Sequence, residues 1–409
     1  MSKSDKHLLL ISQVYVPDPA AVGQYMADVA EEMVNKGWKV TVLTSNRGYD
    51  DPNQIFPASE VVNGVTIKRL PFSSFGKKSI PTRLIGQSFF CLLALLRGLF
   101  LPRVTSILVT TSPPTGGVIG WLISMIRRVP FNFWVMDLNP DQAIAQGVVG
   151  PNSLPARVFD FFNRRLLKRA SNIIVLDEFM ASNVRKKTPG LDEKIHIIPP
   201  WPLEQALESI PKNENPFITE HQLEGKFVLM YSGNHSPVHP LDTFLEAAKE
   251  LSDDERFVFL FIGGGKGKKA VDDFISSEEP GQVLSLPYQP LEKIKYSLSA
   301  ADIHLVSMGA PMIGCVHPCK FYGSMSLAKP ILYLGPPDSH IGKVIRETGA
   351  GWQIDHDNPS ELVEVIKAAS SDQNLTTIGE KGRQKINSSL SKEILCQQFS
   401  QAISPDTFE

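Results

Sequence analysis

Cysteine is scarce in this chain, four in 409 residues, at Cys91, Cys315, Cys319 and Cys396. Their spacing offers no disulfide framework, and no charged, apolar and small-residue order near Met1 marks a secretory leader. A reducing cytoplasm is the expectation. Cys315, His317 and Cys319 could each bind a metal, but a structural zinc site takes four ligands, usually with a second pair further along. Nothing supplies that pair, and no metal is expected. The G-x-G-x-x-G fingerprint is also missing, which weakens a plain nicotinamide-binding reading. No cofactor is implied, and with a formal net charge of −2 no nucleic-acid partner is expected. Long apolar runs are lacking too, apart from Leu84 to Leu101, which only Gln87, Ser88 and Arg97 interrupt. A spanning helix needs about 20 mostly apolar residues, so this run is marginal. Two readings stay open: a helix buried between sheet and neighbour, or a monotopic helix on an anionic membrane. In the second, Lys77, Lys78, Arg83 and Arg103 would sit at the headgroups, and Phe89, Leu93 and Arg97 on the acceptor and membrane side.

What is present suits two domains of roughly 200 residues each. Apolar residues make up 42% of the chain and charged ones 21%, enough for two proper cores. The small net charge hides an asymmetry. Residues 1–200 carry 23 Lys and Arg against 15 Asp and Glu, and the remainder 18 against 28. A basic first half is suited to an anionic surface or substrate, or to an acidic second half across a cleft.

The first half opens with a strand from His7 to Ser12, a loop rich in Pro, Asp and Gly, a helix to about Lys36 and a strand from Lys39 to Thr44. That βαβ start implies a parallel sheet with helices packed on it. In such sheets ligands bind beyond the carboxyl ends of the strands. Val61 to Leu70 reads as a hairpin around Asn63-Gly64, and Ser106–Thr110, Val129–Val135, Asn172–Leu176 and His196–Pro199 as further strands. Asp137-Leu-Asn-Pro-Asp141 follows one of them. Asp141 is the expected helix cap, which leaves Asp137 where chemistry is done. Arg164, Arg165, Lys168 and Arg169 form a basic helix face.

The span 1–205 is taken as the first domain, proline-dotted 206–225 as a linker, 226–385 as the second domain and 386–409 as a helical tail that could pack back on the first. The second domain repeats the strand–helix alternation from Lys226 onward. Gly263-Gly-Gly265 ends one strand and lets backbone come close to a ligand, or is a simple turn. Near its end, Pro318 suits the first position of a helix running to Ala328, and Ile331-Leu-Tyr-Leu is a buried strand. Such a helix aims free N–H groups at the loop before it, and Lys320 adds a charge there, a place for phosphate.

Residue by residue the chain resembles a family 4 (group 1) glycosyltransferase of the colanic-acid and exopolysaccharide type. The matching pieces are Ile11-Ser-Gln-Val-Tyr-Val-Pro-Asp-Pro with Gly23, Gly37-Trp-Lys-Val-Thr-Val-Leu-Thr, Asp137-Leu-Asn-Pro-Asp and Ile197-Ile-Pro-Pro-Trp. Tyr231-Ser-Gly-Asn, Phe261-Ile-Gly-Gly-Gly and Lys320-Phe-Tyr-Gly-Ser-Met-Ser-Leu-Ala-Lys-Pro complete the set. Each is weak alone; their order and spacing carry the resemblance. It implies the α/β GT-B plan, two doubly wound parallel-sheet Rossmann-like domains facing across a cleft. It also implies retaining, metal-independent transfer from a nucleotide-diphosphate sugar to a saccharide or lipid-linked acceptor. On that pattern Gly23, Gly233, Asn234, His239, Gly264, Leu286, Tyr288, Lys320, Phe321 and Ser324 would line the donor site, with Asp137 and Lys320 nearest the chemistry. Asn234 and His239 stand where the family commonly has an Arg and a Lys, and His239 is expected to be partly cationic near neutrality. The family's Glu pair is missing: Gly323 takes the second place, and the first falls near Cys315. A nucleotide-sugar epimerase and a non-catalytic scaffold are the competing readings.

Overall fold

A computed structural model describes residues 6–48, 51–73, 80–203, 208–278 and 281–404. The chain forms two compact units. The first comprises Met1–Pro199 with Gly314–His317 and Lys392–Glu409; the second comprises Pro200–Ile313 and Pro318–Ser391.

In the first unit, strands β1 (His7–Ile11) and β2 (Lys39–Ser45) flank helix α1 (Ala21–Asn35) in sequence, and β3 (Ser59–Val62) and β4 (Val65–Leu70) form the hairpin. Helix α2 (Ile80–Phe100), β5 (Ser106–Thr110), α3 (Gly116–Arg127), β6 (Phe131–Trp134), α4 (Asp141–Ala145) and α5 (Leu154–Arg169) follow. Then come β7 (Asn172–Val175), α6 (Glu178–Lys187) and β8 (Ile195–Ile197). The sheet order is β3-β4-β2-β1-β5-β6-β7-β8, parallel except for β3 on β4. Leu8, Leu9, Leu10 and Ile11 are fully buried, as a strand covered on both faces requires. The helix Lys392–Ile403 belongs to this unit. Phe399 packs on Trp134 with ring centroids 4.4 Å apart, and Lys392 pairs with Asp28 at 2.5 Å.

The second unit opens where a linker was expected over 206–225, and the structure corrects that. Helix α7 (Pro216–Glu220) is N-capped by the Asn215 side chain, which accepts from the Phe217 N–H at 3.1 Å. Phe217, Ile218 and Leu223 are buried against Val228, Met230 and Leu260. These strands are β9 (Phe227–Ser232) and β10 (Phe257–Ile262). With β11 (Val283–Leu286), β12 (Ile303–Ser307), β13 (Ile331–Leu334) and β14 (Gly351–Ile354) they form a parallel sheet in the order β11-β10-β9-β12-β13-β14. Helices α8 (Asp242–Glu250), α9 (Lys268–Glu278), α10 (Ile294–Ser299) and α11 (Lys320–Ser326) precede α12 (His340–Thr348), α13 (Pro359–Ser370) and α14 (Leu375–Lys385). Phe244, Phe257, Phe259 and Phe261 anchor the core on one face of the sheet.

Two helix expectations are revised. Helix α11 starts at Lys320 rather than at Pro318, whose carbonyl instead accepts from the Phe321 N–H. With seven residues it has a weak dipole, so the Lys320 charge carries more of any attraction for an anion. Asp141 does not cap α4. It lies in the first turn and pairs with the buried Lys187 at 2.7 Å.

Candidate functional site

Two groups of predicted residues come together, one in each unit. In the second unit the loops after β9 and β10 are locked to each other. Gly233 N–H donates to the Ile262 carbonyl at 2.9 Å and His235 N–H to the Gly264 carbonyl at 2.8 Å. Gly263 has φ +133°, and a β-carbon there would lie 2.0 Å from the Gly233 oxygen. Close approach of the two loops therefore requires that glycine, rather than the approach of a ligand.

Lys320 reaches into this corner. Its Nζ lies 3.5 Å from the centre of the Tyr231 ring, and a β-carbon on Gly233 would sit 3.5 Å from that nitrogen. The nitrogen is buried and has no hydrogen-bond partner. Burial pushes the ammonium down to about 7, because desolvation disfavours the charged form. The Tyr231 ring face offers partial compensation through its quadrupole. His235 adds a second such group. Its ring is buried against Tyr231, Nδ1 contacts the Gly233 carbonyl at 3.1 Å, and Nε2 has no partner. Burial and the Lys320 charge push it down to about 4. Nothing in the sequence marks His235, which lies between Asn234 and Ser236 in an ordinary loop.

His239 does not supply the expected charge. Its Nδ1 sits 2.6 Å from the Ser307 carbonyl, and burial lowers it to about 3, so it is neutral at physiological pH. Phe321 is fully buried as packing, and the Ser324 hydroxyl donates to the Lys320 carbonyl at 3.2 Å. Asn234 is exposed beside these loops. The Leu286 carbonyl, expected to face a base, already accepts from Gly263 N–H at 2.9 Å and Lys268 Nζ at 2.7 Å. Exposed Tyr288 donates its hydroxyl to the Gly264 carbonyl at 3.2 Å. Lys268, one of three lysines after the glycine turn, thus holds the turn and the β11 end together.

In the first unit Asp137 follows β6, and its N–H donates to Thr111 Oγ1 at 3.2 Å. It lines a cavity of about 200 Å³ with Val118, Phe133, Val158, Phe159 and Phe162. These apolar walls push the carboxyl up to about 6, which leaves it largely ionised at neutral pH but close to its transition. The segment Gly314–His317 belongs to the same unit. Cys315 oxygen accepts from Leu138 N–H at 2.8 Å, and His317 Nδ1 meets Asp177 at 2.9 Å. Among the described residues no group of three His, Cys, Asp or Glu is placed to hold a metal ion. Gly23 packs on backbone instead of lining a pocket: a β-carbon would come 3.0 Å from Tyr15 Cα.

The residues expected on the acceptor and membrane side lie on α2. Phe89 and Leu96 are exposed and Leu93 partly so, with Arg97 exposed. The reading of α2 as a buried core helix is corrected, since only 28% of its apolar window is buried. Lys77 and Lys78 lie outside the described residues.

Two parallel α/β units, one with a buried lysine that lacks a hydrogen-bond partner beside the loops at its strand ends, have the make-up of the GT-B fold. Residues 20–201 match the Glycosyl transferase 4-like domain and residues 212–385 the Glycosyl transferases group 1 domain, and the chain belongs to this family. It is 25% identical over 275 residues to the probable glycosyltransferase WbjE of Pseudomonas aeruginosa, covering 66% of this chain and 68% of that one. It is 21% identical over 403 residues to the putative colanic acid biosynthesis glycosyl transferase WcaI of Escherichia coli K12, covering 94% and 96%. Among solved structures, Anabaena HepE in complex with UDP and glucose shares the fold with a TM-score of 0.73 at 14% identity, covering 98% of this chain and 100% of that one.

Proposed function

We propose that this protein is a retaining glycosyltransferase of envelope polysaccharide assembly, moving a sugar from a nucleotide-diphosphate sugar to a lipid-linked saccharide at the cytoplasmic membrane face. The name of WbjE supports the activity, that of WcaI also the process, and the UDP held by the Anabaena protein supports the donor class. The observation that carries the donor reading is the Lys320 ammonium, buried with no hydrogen-bond partner beside the Gly233 loop. A buried charge without a partner is costly, and a diphosphate would supply one. As the sugar leaves, negative charge grows on the diphosphate. A preorganised cation then lowers the barrier without a metal. Asp137, a carboxylate in an apolar wall, suits hydrogen bonding to a sugar or acceptor hydroxyl. The exposed apolar face of α2 supports seating on a membrane.

Thermal unfolding with UDP, GDP, ADP and dTDP, on wild type and Lys320→Met, tests the donor site. A ligand at 100 times its Kd adds about 2.7 kcal/mol, and a domain of 150–250 residues then shifts by very roughly 5–11 °C. One nucleotide should stabilise wild type and do much less for the variant. A flat response to all four would favour the non-catalytic reading, which the missing Glu pair supports. The anomeric configuration of the product, read by NMR with and without EDTA, tests retention and metal independence.

A further inference from the structure

Gly314, Cys315, Val316 and His317 belong to the first unit, although the chain on either side of them belongs to the second. All four are buried. Ordering backbone costs entropy, so an excursion this short must be held by specific contacts.

Three contacts hold it. Gly314 lies against α6 with φ +69°, and a β-carbon there would come 2.5 Å from Asn183 Nδ2 and 2.7 Å from the Phe179 carbonyl oxygen. Glycine meets both the lack of space and the left-handed backbone. The Cys315 carbonyl accepts from Leu138 N–H at 2.8 Å. At the far end the His317 side chain, 1% exposed, donates from Nδ1 to Asp177 Oδ2 at 2.9 Å. Asp177 Oδ1 accepts in turn from the Met180 N–H at 2.7 Å, as the N-cap of α6.

A buried carboxylate with a basic partner is weak evidence for stability, because apolar side chains of the same volume often do as well. What this pair fixes is position. The middle contact falls on Leu138, the residue after Asp137. The same loop is fixed elsewhere by Thr111 Oγ1 on the Asp137 N–H, by Asn163 Nδ2 on the Asn139 carbonyl at 2.8 Å and by Lys187 on Asp141 at 2.7 Å. Leu138 itself is tied through its N–H to the Cys315 carbonyl. The charged groups around Cys315 are the Asp137, Asp141 and Asp177 carboxylates and the Lys187 ammonium.

We propose that Asp177 and His317 are positioning residues for sugar transfer: their hydrogen bond clamps Gly314–His317 onto α6, and the clamped Cys315 carbonyl holds Leu138 and with it the Asp137 carboxyl. The inference rests on the reading of Asp137 above and adds the groups that keep it in place. Both residues act through Asp137. With the clamp broken, the Leu138 N–H loses its acceptor, the loop loosens and water reaches the carboxyl. A misplacement of about 1 Å can cost a reaction about 100-fold.

The test uses the full chain with His317→Ala, Asp177→Ser and His317→Asn. His317→Ala removes the donor and leaves the four charges around Cys315 in place, so a shift it causes comes from water and not from charge. Asp177→Ser keeps a capping oxygen for α6 but withdraws the acceptor from His317, which covers the case in which one variant folds poorly. His317→Asn restores a donor. In the first two, amide exchange at Leu138 should speed up at least tenfold. The Asp137 carboxyl, followed by carbon NMR with Asp137→Asn for assignment, should titrate below its value of about 6, toward the ordinary range near 3.9. Transfer from the nucleotide sugar whose nucleotide stabilises wild type should slow about tenfold or more. His317→Asn should recover most of all three, and nucleotide stabilisation should match wild type throughout. Unchanged exchange and an unmoved Asp137 titration in the folded variants would overturn the proposal, as would no recovery in His317→Asn. So would loss of nucleotide stabilisation, which would shift the effect of the pair to the donor corner. The reading of Asp137 fails separately: Asp137→Asn at wild-type rate refutes it, while exchange at Leu138 still reports whether the clamp exists.

Discussion

Donor binding should weaken steeply as pH rises through neutrality, and Lys320 sets the size of the effect. In the free protein burial holds its ammonium at about 7. A bound diphosphate favours the charged form and returns the group toward an ordinary lysine value of about 10.4. Below pH 7 the free protein already carries the proton, so affinity is flat. Above it, binding must take up a proton, and affinity falls until pH passes the bound-state value. For those two values linkage gives a fall of about 25-fold between roughly pH 6.5 and 8.5, or about 1.9 kcal/mol. His235 and His239 add nothing in this window, because burial has moved them to about 4 and about 3. The stability of the free protein should move the opposite way. Its folded-state value lies below the unfolded one, so the cost of burying the charge is fully present below pH 7 and is relieved between there and about 10.4. Calorimetric titration with the intact nucleotide sugar is the assay, since its diphosphate is a diester and does not titrate in this range. A flat affinity in wild type, or the same fall in Lys320→Met, would refute the reasoning.

Other outcomes follow from the same geometry. Asp137→Asn should leave the fold intact and cost at least tenfold in transfer rate; wild-type activity should fall as pH drops through about 6, and the variant should lack that limb, read from an initial-rate pH profile. Gly263→Ala forces a β-carbon onto the Gly233 carbonyl at 2.0 Å and φ +133°; a loss on the order of 1–3 kcal/mol with weaker nucleotide binding is expected by denaturant titration. Phe399→Ala removes the partner of Trp134 and should cost about 3–5 kcal/mol, seen as a lower midpoint. Phe89→Ser with Leu96→Ser should reduce sedimentation with anionic vesicles while the melting temperature holds or rises, because both side chains are exposed.

The strands were legible because a parallel sheet covered on both faces needs uninterrupted apolar runs, and His7–Ile11 or Phe257–Ile262 can hardly be anything else. The linker was misread because Pro211, Asn215 and Pro216 look like loop chemistry. Asn215 followed by Pro216 is also an N-cap with proline at the first helical position, and that signal preceded Phe217 and Ile218, which the core takes up. On α2 the composition showed an apolar helix but not which side faces out. Phe90 and Ala94 face inward and are fully buried, Leu92 and Leu96 face outward and are exposed, and hydropathy makes no distinction between them.

The donor corner shows the same limit in chemical form. That Lys320 is a cation near a loop could be read from the sequence; that its nitrogen is buried with no hydrogen-bond partner could not, because burial depends on Tyr231 and Gly233, some 90 residues earlier. Burial set by distant chain likewise hides why His239 is neutral: desolvation lowers it to about 3 although its Nδ1 contacts the Ser307 carbonyl on another strand, which favours the proton. Among the described residues of this corner, Lys268 is taken up by the Gly263 and Leu286 carbonyls, which leaves Lys320 as the cation without a hydrogen-bond partner to meet a diphosphate. If two strong cations gripped the diphosphate, affinity would be nearly independent of pH around neutrality. With a single lysine poised at about 7, the strength of the grip depends on whether that nitrogen carries its proton when the donor arrives.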